Sequence, residues 1–314
     1  MSIGLDLGST QFRSIRQQGS RLIGRSCYTE ILSLPDTPGH RRLLDRDRVK
    51  YAECAGTLVV LDLPAREWGE LLSHPVRSLL LDGQMPHYDM LARQVLSLMV
   101  DAVLPEARTP GEICSLTIPG ELLPTDDSPE RNFFFRLVSL RGYTPIAVGQ
   151  GHAIVLAELG SSGFSGLGIS LGASVTEFSL SHSGRELARC SIPWGTSSLT
   201  SDLSLDLSRG ENLPEKTKAQ ITDFLVELMM EAGNRIDQNE GFRVLSQPVS
   251  IVVSGGITGL PEMPSMLESA WNRAAWPINR RSLHIASQPD FAIARGCLIN
   301  AILESEAELI GIAA

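Results

Sequence analysis

Two stretches of this sequence join an apolar strand to a turn of small residues that could hold an anion. In the first, Gly4-Leu5-Asp6-Leu7-Gly8-Ser9-Thr10, the run from Met1 to Leu7 leads into a turn carrying one carboxylate. Asp6 is expected at the strand's end, and Gly8, Ser9 and Thr10 would offer backbone N–H groups and hydroxyls. That is the layout of a phosphate-binding hairpin, where amides cradle oxygens and a carboxylate holds a hydrated cation. The second stretch, Gly166 to Leu180, repeats the pattern with a turn at Gly172-Ala173-Ser174 before Thr176. One such hairpin in each half predicts a pseudo-repeated, two-lobed molecule with phosphates held between facing turns. Further on, the apolar run Pro248 to Ser254 delivers Gly255-Gly256. Glycines there allow close backbone approach to a planar ligand, or equally a tight strand-to-helix turn.

The elements that must position these turns alternate. Strands are expected at 12–15, 22–26, 56–61, 113–119 and 145–148, and Leu79 to Pro86 reads as a strand running into a turn. Residues 34–49 are polar and punctuated by Pro and Gly, hence a surface loop or small subdomain. Helical spacing of Leu91, Val95, Leu96, Met99 and Leu104 marks a core helix, and Ser128-Pro129 opens another with an N-cap serine and a first-turn proline. Gly160-Ser161-Ser162-Gly163 is a plausible lobe boundary. Beyond it, 187–192, 248–254 and 283–285 read as strands, and 214–235 and 291–303 as helices. Alternation of this kind gives an α/β fold.

Composition narrows the class. The chain has 314 residues, 43% hydrophobic and 20% charged, enough for two core-bearing lobes. A formal net charge of −9 argues against a general nucleic-acid or anionic-membrane binder. Five scattered cysteines form no metal spacing or disulfide framework, which fits a reducing compartment. No apolar run approaches the roughly 20 residues that cross a bilayer, and no signal peptide is legible, so a cytoplasmic location is expected.

Several marks, in order along the chain, resemble the actin-like ATPases, and among these the bacterial actin MreB family most. Asp6-Leu7-Gly8-Ser9 resembles the first phosphate loop, and Gly172 with Thr176-Glu177 the second. Leu81-Asp82-Gly83-Gln84-Met85-Pro86-His87-Tyr88-Asp89 and Ile118-Pro119-Gly120 followed by Glu130-Arg131 are similar to two MreB segments. Gln150-Gly151-His152-Ala153 falls where that family has its water-polarising glutamate. Val253-Ser254-Gly255-Gly256 resembles the adenosine-side turn, and Pro289 to Gly296 the closing helix. The resemblance implies two lobes built from duplicated ribonuclease-H-like domains. Lobe I would span 1–150, with a small outer subdomain at roughly 27–80 and completion by 286–314; lobe II would span 151–285. It further implies ATP or ADP with Mg2+ between the lobes. Asp6 would hold the metal through water, and Gln150 would position the attacking water. Gly8, Ser9, Thr10, Gly172, Ala173, Ser174 and Thr176 would hold phosphates. Glu215, Lys218, Gly255 and Gly256 would face the nucleoside.

Three departures qualify what the resemblance implies. The second loop's aspartate is Ser170, leaving one carboxylate for magnesium. Gln150 replaces a glutamate, as in actin; an amide orients water without being a general base, so slow turnover or none is expected. Fewer than fifty residues separate Thr200 from Pro248, which implies a reduced outer subdomain in lobe II. The leading expectation is a nucleotide-binding, actin-like protein of cytoskeletal or assembly processes, self-associating or bound to another assembly protein. The alternative is a non-catalytic scaffold on the same fold. A small-molecule kinase would need a cleft aspartate, for which only Asp126-Asp127 offer themselves.

Overall fold

The computed structural model describes residues 2–80, 83–122, 128–199, 213–244, 248–274 and 276–310. Strands and helices are numbered in chain order. Strands β1 (Ile3–Leu7), β2 (Gln11–Gln18) and β3 (Arg21–Tyr28) form an antiparallel meander. Strands β8 (Glu112–Leu116) and β9 (Tyr143–Ala147) extend it in parallel on the β1 side, giving the order β3-β2-β1-β8-β9. The second half repeats this plan with β10 (Gly166–Leu171), β11 (Thr176–His182), β12 (Arg185–Ile192), β13 (Val249–Ser254) and β14 (Arg280–Ile285), in the order β12-β11-β10-β13-β14. The chain is therefore an α/β molecule of two lobes with duplicated sheets.

A third sheet, β5-β6-β4-β7, forms the outer part of the first lobe from β4 (Glu30–Pro35), β5 (Tyr51–Cys54), β6 (Thr57–Leu61) and β7 (Val76–Ser78). The polar stretch 34–49 is not only loop. It carries α1 (Pro38–Arg46), started by Pro38 in the first turn and by Thr37 Oγ1 accepting from His40 N at 3.2 Å. Of the strand expected over Leu79 to Pro86, no described residue is in a strand: β7 ends at Ser78, and Leu81 and Asp82 lie outside the described residues. So do Asp126 and Asp127 and the stretch 200–212. Among the described residues between β12 and β13, the chain forms one long helix, α6 (Glu215–Gln238), and short 3-10 turns, with no strand.

Strand alternation explains how the layers stack. Along β1, Ile3, Leu5 and Leu7 pack into one core with Ala92, Val95, Leu96 and Met99 of α3 (Met90–Val103). The intervening Gly4 and Asp6 point the other way, towards α8 (Ala292–Ile310), where a Cβ on Gly4 would collide with the backbone of Ala294 and Leu298. Strand β10 does the same. Leu167, Ile169 and Leu171 join a core with Ile221, Leu225 and Met229 of α6 and with Met266 and Leu267 of α7 (Met263–Ala274). Gly168 and Ser170 face α5 (Gln150–Glu158), and a Cβ on Gly168 would collide with Gly151 O. Helices α5 and α8 pack on each other between the two sheets, so closely that Gly296 has no room for a Cβ against the Ala153 backbone. Gly4, Asp6 and Gly8 thus correspond in position to Gly168, Ser170 and Gly172.

Candidate phosphate-binding cleft

The two hairpin turns are built alike. Gly8 N donates to Gln11 O at 3.2 Å, and Gly172 N donates to Val175 O at 3.2 Å. Each turn is then tied down through its carbonyls. Ser9 O accepts from Thr29 Oγ1 at 2.5 Å and Thr10 O from Thr29 N at 3.0 Å. Gly172 O accepts from Thr196 N at 3.0 Å, and Ala173 O from Ser197 N at 2.9 Å and Ser197 Oγ at 2.6 Å. With the carbonyls engaged, the amides face the opposite way. Among the described residues, the backbone N–H groups of Ser9, Thr10, Ala173 and Ser174 have no acceptor. Four anchored amides at two matching turns are suited to an anion that brings its own oxygens.

Asp6 is 3% exposed at the end of β1. Its Oδ1 accepts from Thr117 Oγ1 at 3.0 Å, and the same hydroxyl accepts from Leu7 N at 3.0 Å. Arg13, opposite Asp6 in the β1–β2 register, brings Nη1 to 3.7 Å from Oδ2 and reaches Asp290 at 3.8 Å. Burial pushes the Asp6 carboxyl above the usual carboxylate range, against the pull of Arg13 and the Thr117 hydrogen bond. Gln150 is the first residue of α5, and its Oε1 accepts from Ser170 Oγ at 2.7 Å. The two positions that depart from the MreB pattern are thus bonded to each other. Asp6, Thr117 and Gln150 stand at or just beyond the carboxyl ends of β1, β8 and β9, and Ser170 and Gly255 at those of β10 and β13. Ligands of open parallel sheets bind along such an edge.

The remaining expected residues divide. Thr176 is buried, and its hydroxyl donates to Trp194 O at 2.8 Å, so it serves the turn's own architecture. Gly255 has φ +142°, and its close approach is to Leu171 of the neighbouring strand; Gly256 has open space where a Cβ would be. Of this pair, only Gly256 leaves room beside the turn. Lys218 and Glu215 pair at 3.0 Å on the first turn of α6, and Lys218 also lies 3.6 Å from Glu262, just before α7. Sequence reasoning missed Thr117 and Arg13. The alternation of β2 opposite β1 could have found Arg13, whereas Thr117 meets Asp6 only through a parallel crossover more than a hundred residues long.

The resemblance implies two ligands, a nucleotide and a magnesium ion. The free amides fit a polyphosphate. For a metal, the described residues hold no cluster of three His, Cys, Asp or Glu side chains. Asp6 already has a cationic neighbour, and its counterpart is Ser170. The set fits a cation carried mainly by phosphate oxygens and water, with Asp6 as its one carboxylate.

The sequence matches the family model described as Volactin over residues 1–240. No curated protein matches it. Among solved structures, MreB 5 of Spiroplasma citri bound to AMPPNP is 14% identical, with 98% of both chains covered and a TM-score of 0.60. The MamK double helical filament is 16% identical, covering 96% of this chain and 98% of that one, with a TM-score of 0.58. Ethanolamine utilization protein EutJ from Carboxydothermus hydrogenoformans is 12% identical, covering 95% and 89%, at 0.53. At such identities the likeness is one of fold, and the fold is that of the actin-like ATPases.

Proposed function

The chain belongs to the Volactin family, and on that premise we propose that it is an actin-like nucleotide-binding protein whose lobes close on the phosphates of ATP or ADP. The observation that carries this reading is the pair of matching hairpins with unspent amides at Ser9, Thr10, Ala173 and Ser174. These amides hold phosphate oxygens from both lobes, so binding favours the closed arrangement of the lobes. Gly256 and the Lys218–Glu262 corner flank the nucleoside. Asp6, kept in place by Thr117 and Arg13, would hold a magnesium ion through water, and that ion would supply charge neutralisation at the phosphates. Gln150 can orient a water through its amide but cannot take its proton, and its carbonyl is engaged by Ser170. Turnover is accordingly slow or absent. The MamK structure described as a filament suggests self-association as the output of closure, and a cytoskeletal or assembly role in the cytoplasm.

A second reading has one observation in its favour. The Ser170–Gln150 hydrogen bond closes the two reactive positions on each other, as in a scaffold that keeps the fold and binds a protein partner without chemistry. Titration with ADP separates the two. Ser9→Asp, which sets a negative charge at the first turn, is expected to weaken ADP binding by about tenfold or more, roughly 1.4 kcal/mol. Equal affinity in variant and wild type would refute the phosphate assignment, and no binding by either would favour the scaffold.

A further inference from the structure

A second group of charges lies behind the cleft. Arg189, on β12, clamps Glu186 with Nη2 at 2.7 Å and Nε at 3.1 and 3.2 Å. Its Nη1 reaches Glu121 Oε2 at 3.4 Å, and Glu121 belongs to the loop that leaves β8 in the other lobe. Both side chains are nearly dry, 12% and 9% exposed, and the ion pair joins the two lobes. The guanidinium also lies flat against Gly149, where a Cβ would come within 2.5 Å of Nη2. Gly149 is the N-cap of α5, one position before Gln150. On the far side, Glu177 Oε1 accepts from Gly151 N at 2.8 Å, fixing the same helix turn.

We propose that Arg189, anchored on Glu186 in the second lobe, is a latch that holds Glu121 of the first lobe and thereby fixes the lobe arrangement in which Gln150 meets Ser170. This goes beyond nucleotide binding and does not depend on it, because every group involved belongs to the protein.

The latch carries a built-in response to pH. Glu177 faces Arg189 and Glu186 from β12, Gly151 N from α5, and Ser179 on its own strand; His152 of α5 faces the same Glu186 and Arg189, and Glu121 reaches the arginine from the other lobe. Burial, only partly offset by Arg189, pushes the Glu177 carboxyl up to about 7. Burial likewise pushes His152 down, so the imidazole, bonded to Ser181 at 2.7 Å, adds no charge near neutrality. With Glu177 ionised, three carboxylates share one guanidinium and repel one another. Protonating Glu177 removes part of that repulsion, so Glu121 is held more firmly below about pH 7 than above it.

The experiment measures the distance between the lobes in the protein without nucleotide, by electron–electron double resonance between nitroxides at Leu140→Cys and Met230→Cys. Both positions are exposed, one on each lobe, and the five native cysteines are buried. Glu121→Gln removes the charge that Arg189 holds across the lobes and leaves Arg189 paired with Glu186. The expected result is a broader distribution shifted to longer distance in Glu121→Gln, and a wild-type distribution that narrows as pH is lowered from about 8 to about 6. Glu177→Gln is expected to keep the narrow distribution at both pH values. A wild-type distribution in Glu121→Gln would overturn the latch, whether or not the protein binds nucleotide.

Discussion

Replacing Thr117 by Val would test how the cleft carboxylate is held. The side chain keeps its branched shape and loses only the hydroxyl, which serves two fully buried partners. Leu7 N is left without an acceptor, at about 1–3 kcal/mol for a buried unsatisfied donor, and Asp6 loses a hydrogen bond to a charged group, itself about 1.5–3 kcal/mol. Arg13 remains beside Asp6, so the sum is partly relieved, and a net loss of about 2–4 kcal/mol is expected near neutrality. The loss should depend on pH. The Asp6 carboxyl already stands above the ordinary carboxylate range in the folded protein, and Thr117 is one of the groups holding it down. A raised carboxyl makes the folded state bind protons more readily than the unfolded chain, so stability falls as pH rises through the folded value. Removing Thr117 raises that value further, and the penalty is therefore larger at about pH 8 than in acid, where a neutral Asp6 leaves mainly the Leu7 amide to account for. Urea denaturation of both proteins at the two pH values measures this directly. A penalty under about 1 kcal/mol at both, or one that grows in acid, would refute the reasoning.

Other perturbations follow from the same geometry. Glu177→Gln should flatten the pH dependence of stability: the wild-type carboxyl, raised to about 7, costs stability as pH climbs through the interval between the ordinary glutamate range and that value, and a glutamine has no such slope. Thermal melts at several pH values would show it. Gly168→Ala should destabilise by at least about 2 kcal/mol in denaturant titration, since its Cβ would meet the backbone of Gly151 rather than a side chain able to move. Ser170→Asp restores the second carboxylate at the position matching Asp6 and frees Gln150 from its present partner. Magnesium should then strengthen nucleotide binding more than it does in the wild type, and phosphate release should rise above background; no change in either would count against equating the two hairpins.

The hairpins were legible because their signals are local. Gly4, Asp6 and Gly8, and again Gly168, Ser170 and Gly172, stand in strands whose alternation also tells which face meets the middle helices. The α/β class and the duplication followed from that repetition. What escaped the sequence depends on distant pairing. Thr117 reaches Asp6, and Arg189 reaches Glu121, only after parallel strands and whole lobes have come together, and neither residue type is unusual where it stands. Thr176 and Gly255 show the converse. Their types suit a ligand site, yet the hydroxyl donates to Trp194 and the glycine makes room for the Leu171 backbone. Helix α1 was missed because Thr37-Pro38 is at once a capping signal and a loop signal.

The central claim is that two matched turns hold phosphate. Calorimetric titration with ATP and ADP, set against adenosine, tests it most directly, because adenosine lacks the groups that the four free amides would bind. The account predicts saturable binding of both nucleotides and at least tenfold weaker binding of adenosine, roughly 1.4 kcal/mol or more. Nucleotides that bind no better than adenosine, or not at all at about 1 mM, would contradict it.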